Sequence, residues 1–213
     1  METDTIDQII RSRPTIVEIL KDRGYDVSAY EHVNPEDILT LATTSSQLLK
    51  IVATNPDNAN DRIIVLYWVE SSYRLRVEPE TNNLWKEENP DHYNPETDTI
   101  IILLAEPFHP VFDIQAAKQW TLHKHRVSFF NMKNLISNPL KHVMQPEFRK
   151  LTEQEAQDLQ LQLKLKSRKN LPMIIYHVDM VARVMGLLPG EILHIQRPSE
   201  TCGLTEGYRV CVL

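Results

Sequence analysis

Apolar positions open the chain with helical spacing. Ile6, Ile9, Ile10, Ile16, Val17 and Leu20 fall on or near one face, which predicts a helix from about Ile6 through Lys21 with Gly24 as terminator. Pro14 interrupts that run. Proline lacks a donor and clashes one turn back, so the helix either kinks there or restarts with Ser12 or Arg13 as cap. Asn34-Pro35-Glu36-Asp37 predicts a second helix start, with a cap, a proline at the first position and acids in the first turn, before Ile38, Leu41 and Ala42. The pattern then turns β-rich. Residues 48–53 and 62–69 read as neighbouring strands across the turn-forming segment 54–60. Residues 99–104 are a third strand, 111–122 a helix crossing back, and 126–130 a fourth strand. Strand, helix, strand in that order implies a parallel pair in an α/β sheet. Residues 82–97, rich in Pro, Asn, Asp and Glu, read as an exposed excursion between strands.

A boundary is predicted near 138–145, where Pro139 and Pro146 flank polar residues. It gives two domains, 1–138 and 139–213. Beyond it, residues 159–166 alternate like a strand, yet Thr152-Glu-Gln-Glu155 is a capping box, and the helix is chosen, to about residue 164. Asp179 can cap a short helix over 180–185, ended by Gly186, and Leu188-Pro-Gly-Glu191 fits a type II turn. Residues 192–195 and 208–212 read as strands that bracket a polar connection over 197–207, longer than a tight hairpin needs. The fold class is thus α/β and α+β: a small, mostly parallel or mixed N-terminal sheet and a small C-terminal α/β domain.

Composition narrows the function classes. With 213 residues and 42% hydrophobic content the chain can bury one large core or two modest ones. No run approaches the ~20 apolar residues of a membrane span, and no signal peptide opens the chain, so an intracellular, soluble protein is expected. Two cysteines, Cys202 and Cys211, support neither a disulfide framework nor a zinc site, and reduced thiols are the default. A net charge of −6 excludes nucleic-acid binding through the overall field, so any DNA contact is local. The basic run Lys164-Leu-Lys-Ser-Arg-Lys169 reads as a solvated connector or subunit contact in preference to a phosphate site.

No catalytic constellation stands out. His123 and His125 could share one strand face as metal ligands, but no carboxylate or cysteine lies near in sequence and Lys124 and Arg126 oppose a cation. Ser199 and Glu200 point in opposite directions on an extended chain, and no histidine follows His194. Ser199 and Thr201 are better read as bonding the loop backbone, with Arg197, Glu200 and Arg209 pairing locally or with a partner. No cofactor and no metal is expected.

One family accounts for the order of these residues. Leu171-Pro172, Asp179-Met-Val-Ala-Arg183, Gly186, Gly190, Arg197-Pro-Ser-Glu-Thr-Cys-Gly203 and Tyr208-Arg209 resemble the tail of the fifth subunit shared by eukaryotic nuclear RNA polymerases, whose C-terminal domain has a small single-domain counterpart in archaeal polymerases. His142, Pro146-Glu147 and Leu151-Thr-Glu-Gln-Glu155 resemble the segment leading into that domain. Met180, Met173 and Leu204-Thr205 depart from the family's Pro, Arg and Arg-Tyr. Archaeal members lack the N-terminal domain, whereas Arg13-Pro-Thr-Ile-Val17 and Asp22-Arg-Gly-Tyr25 resemble the eukaryotic first helix.

The resemblance implies a non-catalytic subunit of a multisubunit DNA-directed RNA polymerase. Its C-terminal assembly domain would dock on the largest subunit, with other polymerase subunits nearby, and its N-terminal jaw would lie beside downstream duplex DNA, with no membrane contact. The implied partner-binding residues are Asp179, Arg183, Arg197, Pro198, Ser199, Glu200, Thr201, Tyr208 and Arg209. The implied DNA-facing loop is Glu106-Pro-Phe-His-Pro110, with His109 and Lys118 as DNA-proximal candidates; a helix N-terminus there favours phosphate and Glu106 opposes it. The family's jaw resembles restriction-endonuclease folds, but no Glu-X-Lys lies near the sheet strands, so nuclease chemistry is not expected. A free-standing interaction adaptor that kept the assembly fold is the competing reading, an inactive nuclease relative a weaker one. The departures fit a divergent eukaryote or a large DNA virus, leaving nucleus, viral factory and virion open.

Overall fold

The computed structural model describes residues 3–86, 88, 93–199, 201 and 203–213. The chain divides into two compact units, Met1–Asn138 and Pro139–Leu213.

In the first unit, helix α1 (Thr3–Asp22) runs unbroken through Pro14. The lost hydrogen bond neither splits nor restarts it, because Ile9, Ser12, Arg13, Ile16 and Leu20 are all buried and packing outweighs one missing donor. Helix α2 (Pro35–Thr44) starts at the predicted Asn34-Pro35 boundary. The segment expected to begin a strand at 48 is a 3-10 turn, Ser46–Leu49, and β1 (Ile51–Asn55) follows it. β1 pairs antiparallel with β2 (Asn58–Trp68) through a tight turn at Pro56-Asp57, shorter than the predicted connection because Asn55 already faces Asn58. β3 (Asp98–Leu104) and β4 (Arg126–Asn131) extend this sheet in parallel, in the order β1-β2-β3-β4.

Helix α3 (Tyr73–Leu84) occupies the β2–β3 crossover, where an exposed excursion was expected from 82. Its signal was weak for physical reasons. Only Val77 and Thr81 are buried, Pro79 lies inside it, and Arg76 leaves helical dihedrals at φ −129°. Of the excursion itself, residues 87 and 89–92 lie outside the described residues, and Tyr93 is buried. Helix α4 (Pro110–His123) forms the β3–β4 crossover. Ile64, Trp68, Val77, Ile100, Ile102, Leu104, Phe112 and Phe129 form one core. The alternate β2 and β3 positions, Ile63, Val65, Ile101 and Leu103, are equally buried. Arg13 of α1 lies 5.9 Å over the Tyr67 ring, which places α1 on that second face.

In the second unit a mixed sheet has the order β5-β7-β8-β6. β5 (Glu147–Lys150) pairs antiparallel with β7 (Ile192–Ser199), β7 antiparallel with β8 (Gly203–Val212), and β6 (Met173–Ile175) parallel with β8. Helix α5 (Glu153–Gln162) carries the complete Thr152/Glu155 capping box and buries Ala156 and Leu159 against Leu151, Leu171, Ile192 and Val210. Helix α6 (Met180–Met185) ends at Gly186, whose φ of 64° needs glycine. At the predicted type II turn the Glu191 N–H donates to the Leu188 carbonyl at 3.1 Å.

Candidate assembly surface and crossover loop

The polar stretch 197–207, expected as a long connection, is mostly β-ladder. Pairing continues through Arg197↔Thr205 and Pro198↔Leu204 to Ser199↔Gly203. Glu200 and Cys202 lie outside the described residues. β5 stops opposite Gln196 and β6 reaches only Val210, so among the described residues the end of this hairpin has no third strand on either side. That geometry accommodates Pro198, whose missing N–H would break a ladder in an interior strand. Arg197, Pro198 and residues 203–206 are exposed.

The predicted partner residues fall into two groups. Asp179 and Arg183 are engaged inside the domain. The Asp179 carboxylate accepts the Val181 and Ala182 N–H groups at 2.8 and 3.4 Å, capping α6. Arg183 is 9% exposed and donates to the Val178 carbonyl at 3.3 Å. Arg197, Pro198, Ser199, Thr201, Tyr208 and Arg209 lie on the hairpin. Ser199 Oγ and Thr201 Oγ1 are 3.2 Å apart across the tip, and Arg197 pairs with no acid among the described residues. Tyr208 stacks on His194 at 5.1 Å and donates to Glu206 at 2.9 Å. Burial, followed by the Glu206 carboxylate, raises its phenol pKa. Arg209 donates to the Met173 carbonyl at 3.2 Å. This contact brings the arginine beside an apolar strip that the sequence pattern does not single out: Met173 and Ile175, 54% and 42% exposed at alternate β6 positions.

Neighbouring charges are spent within the second unit. Glu153 meets the Arg168 guanidinium, which with Gln157 holds its carboxyl down at about 2. Arg168 therefore leaves the basic run 164–169 with less net positive charge than its sequence suggests. Cys211 is buried, which together with the Glu191 and Asp179 charges pushes its thiol up to about 12.

The crossover loop before α4 is also organised internally. His109 caps the helix, its Nδ1 accepting from the Val111 N–H at 3.2 Å, and Lys118 pairs with Glu78. Glu106 is 7% exposed: one carboxylate oxygen accepts the Arg74 N–H at 3.0 Å, while its carbonyl accepts from Asn131 Nδ2 at 2.7 Å. His123 and His125 do not share a strand face. His123 ends α4, Lys124 takes a left-handed conformation at φ 61°, and His125 follows before β4, with the two rings 5.2 Å apart. His125 also meets Trp85 at 4.3 Å and Gln119 at 2.9 Å. Burial, then proximity to His123, lowers its pKa. Among the described residues no group of three or more His, Cys, Asp or Glu could hold a metal ion, and no helix is long and apolar enough to cross a membrane.

Comparison with known proteins identifies relatives of both units. Residues 137–211 match the family model described as RNA polymerase Rpb5, C-terminal domain. The chain is 28% identical over 210 residues to the DNA-directed RNA polymerases I, II and III subunit rpabc1 of Dictyostelium discoideum, covering 98% of this chain and 100% of the relative. It is 28% identical over 214 residues to the Caenorhabditis elegans subunit of the same name, covering 95% and 94%. It is likewise 28% identical over 207 residues to the RNA polymerases IV and V subunit 5B of Arabidopsis thaliana, covering 94% and 88%.

Proposed function

We propose that this chain, a member of the Rpb5 family through its C-terminal domain, serves as a non-catalytic subunit of a DNA-directed RNA polymerase. In this reading residues 139–213 dock on the largest subunit, and residues 1–138 form part of the jaw beside downstream duplex DNA. The observation that carries the docking role is the β7–β8 hairpin end, a paired and exposed arm bearing Arg197, Pro198, Ser199 and Thr201. A β-ladder holds its side chains in fixed register, so a partner binds a surface that is already ordered. Arg209 and the Met173/Ile175 strip add a cation beside apolar area at the other end of the same strand, a pairing suited to a protein partner. Glu200 belongs to the same motif. Asp179 and Arg183 serve docking indirectly, by shaping α6.

The DNA-proximal role falls to the N-terminus of α4, where His109 is exposed and Lys118 lies two turns on. Lys118 already pairs with Glu78 and His109 caps its own helix, so their contribution to DNA affinity is small. A nuclear location follows for a cellular polymerase. Affinity isolation of the tagged chain tests the assignment: it predicts recovery of the large polymerase chains in stoichiometric amount, reduced for Arg197→Glu and Arg209→Glu. Normal recovery of both variants would remove the hairpin from the docking surface, and recovery of unrelated proteins instead would favour a free-standing adaptor.

A further inference from the structure

Helix α5 ends in a cleft of about 580 Å³ lined by Gln157, Gln160, Leu161, Lys164 and Leu165. The cleft opens the basic run 164–169, whose role the hairpin surface leaves unassigned. Its apolar part faces solvent: Leu161 is 77% exposed, and Leu163, two positions on, is 45% exposed. The walls are held by the helix end itself. The Leu165 N–H donates to the Gln160 carbonyl at 2.9 Å, and Gln160 Nε2 donates to the Leu165 carbonyl at 3.3 Å. Lys164, between them in sequence, has φ 51°, a conformation that favours glycine. A lysine is thus fixed at the rim at a cost in backbone strain, and strain of this kind clusters at ligand-binding positions.

The charges at this end of the helix are one-sided. Every acid of α5 is engaged: Glu153 with Arg168, Glu155 with Arg149 at 2.7 Å, and Asp158 with Gln154 at 3.1 Å. Lys164 and, in the exposed segment that leaves the cleft, Lys166 and Lys169 pair with no acid among the described residues. Three unmatched ammonium groups call for an anionic partner. Exposed leucine gains only from a partner that also brings apolar side chains, which carboxylate-bearing protein offers and a phosphate backbone does not. The chain's net charge of −6 further disfavours a nucleic acid.

We infer that the cleft docks an acidic segment of another protein, its carboxylates meeting Lys164, Lys166 and Lys169 while an apolar side chain covers Leu161. The hydrogen-bonded helix end presents this surface already ordered, so little is lost in organising it. The site is independent of the polymerase assignment, and the purified full chain suffices to test it.

The isotopically labelled chain is titrated with an amidated peptide in which aspartates separate single leucines, and the backbone amides of Leu161, Lys164 and Leu165 are followed. Three controls accompany it: the same peptide with asparagine for aspartate, the same peptide with serine for leucine, and a short DNA duplex. The acidic leucine peptide should move the three amides, and each control should move them less. Lys164→Gly, a substitution that suits φ 51°, should weaken binding roughly threefold. Leu161→Ser, on a side chain outside the core, should weaken it roughly fivefold. The inference is overturned if the acidic leucine peptide leaves the amides unmoved, if either control peptide moves them equally, or if both variants bind as the parent does. A stronger response to the duplex also overturns it and makes the run a nucleic-acid contact.

Discussion

Removing Arg62 should destabilise the first unit by roughly 2–3 kcal/mol. Asp98 opens β3 with a fully buried side chain, and its two oxygens accept Arg62 Nε at 2.7 Å and Nη2 at 2.6 Å. The Asn94 N–H at 2.9 Å and Thr97 Oγ1 at 3.0 Å complete its coordination. Arg62→Ala leaves a buried carboxylate with neutral donors only. A fully buried pair broken from one side costs about 3–5 kcal/mol. Arg62 is 40% exposed, so solvent screens part of the interaction and the lower figure follows. Asp98→Ala should cost less, because the freed arginine can turn to water, and the double variant should be more stable than the two single effects predict by addition. Burial raises the Asp98 pKa, but the Arg62, Asn94 and Thr97 hydrogen bonds outweigh it and hold the carboxyl below its usual value. With a depressed folded pKa, this stabilisation is present above the unfolded carboxyl pKa of about 4 and fades as pH falls through the folded value. The gap between parent and Arg62→Ala should therefore narrow on acidification below about pH 4. Urea unfolding followed by tryptophan fluorescence isolates this unit, because Trp68, Trp85 and Trp120, the chain's 3 tryptophans, all lie within residues 1–138. A shift under about 0.5 kcal/mol at neutral pH, or a gap that widens in acid, would show that the Arg62–Asp98 pair does not stabilise the unit in this way.

Three further outcomes test the second unit. Asp179→Ala removes the α6 cap and should cost about 1 kcal/mol of that unit's stability in chemical unfolding followed by circular dichroism, with Asp179→Asn largely retaining it. The Glu153 carboxyl should titrate near pH 2 by NMR and return toward the ordinary range in Arg168→Ala; with the folded pKa depressed, its contribution to stability is present above the unfolded pKa and is lost as pH falls through about 2. Cys211 should resist thiol-labelling reagents at pH 8 in the native protein and react on unfolding, with mass mapping identifying the labelled site.

Local signals were legible where one residue performs one backbone task. Asp179 caps α6, Gly186 ends it, Thr152 and Glu155 close their box, and the Pro189-Gly190 turn reverses the chain, each readable from neighbours within four positions. The β3-α4-β4 crossover was legible because its buried strands and helix have distinct patterns. The outer hairpin was not, since a ladder exposed at Arg197, Pro198 and residues 203–206 has no core side there to impose alternation. Helix α3 was hidden by a narrow buried stripe and an internal proline. A cleft at the carboxyl ends of β2, β3 and β4, lined by Gln8, Glu70, Glu106 and Asn131, could not be read at all: these residues meet only through the parallel strand register and α1, and no spacing along the chain encodes that meeting.

Assembly of this chain into a polymerase is measured by quantitative mass spectrometry of complexes isolated on the tagged full chain under gentle extraction. A polymerase subunit should bring down the two largest polymerase chains at close to one copy each per tagged chain, with a marked loss for Arg197→Glu and Arg209→Glu together. Isolation of the folded chain free of those subunits would contradict it.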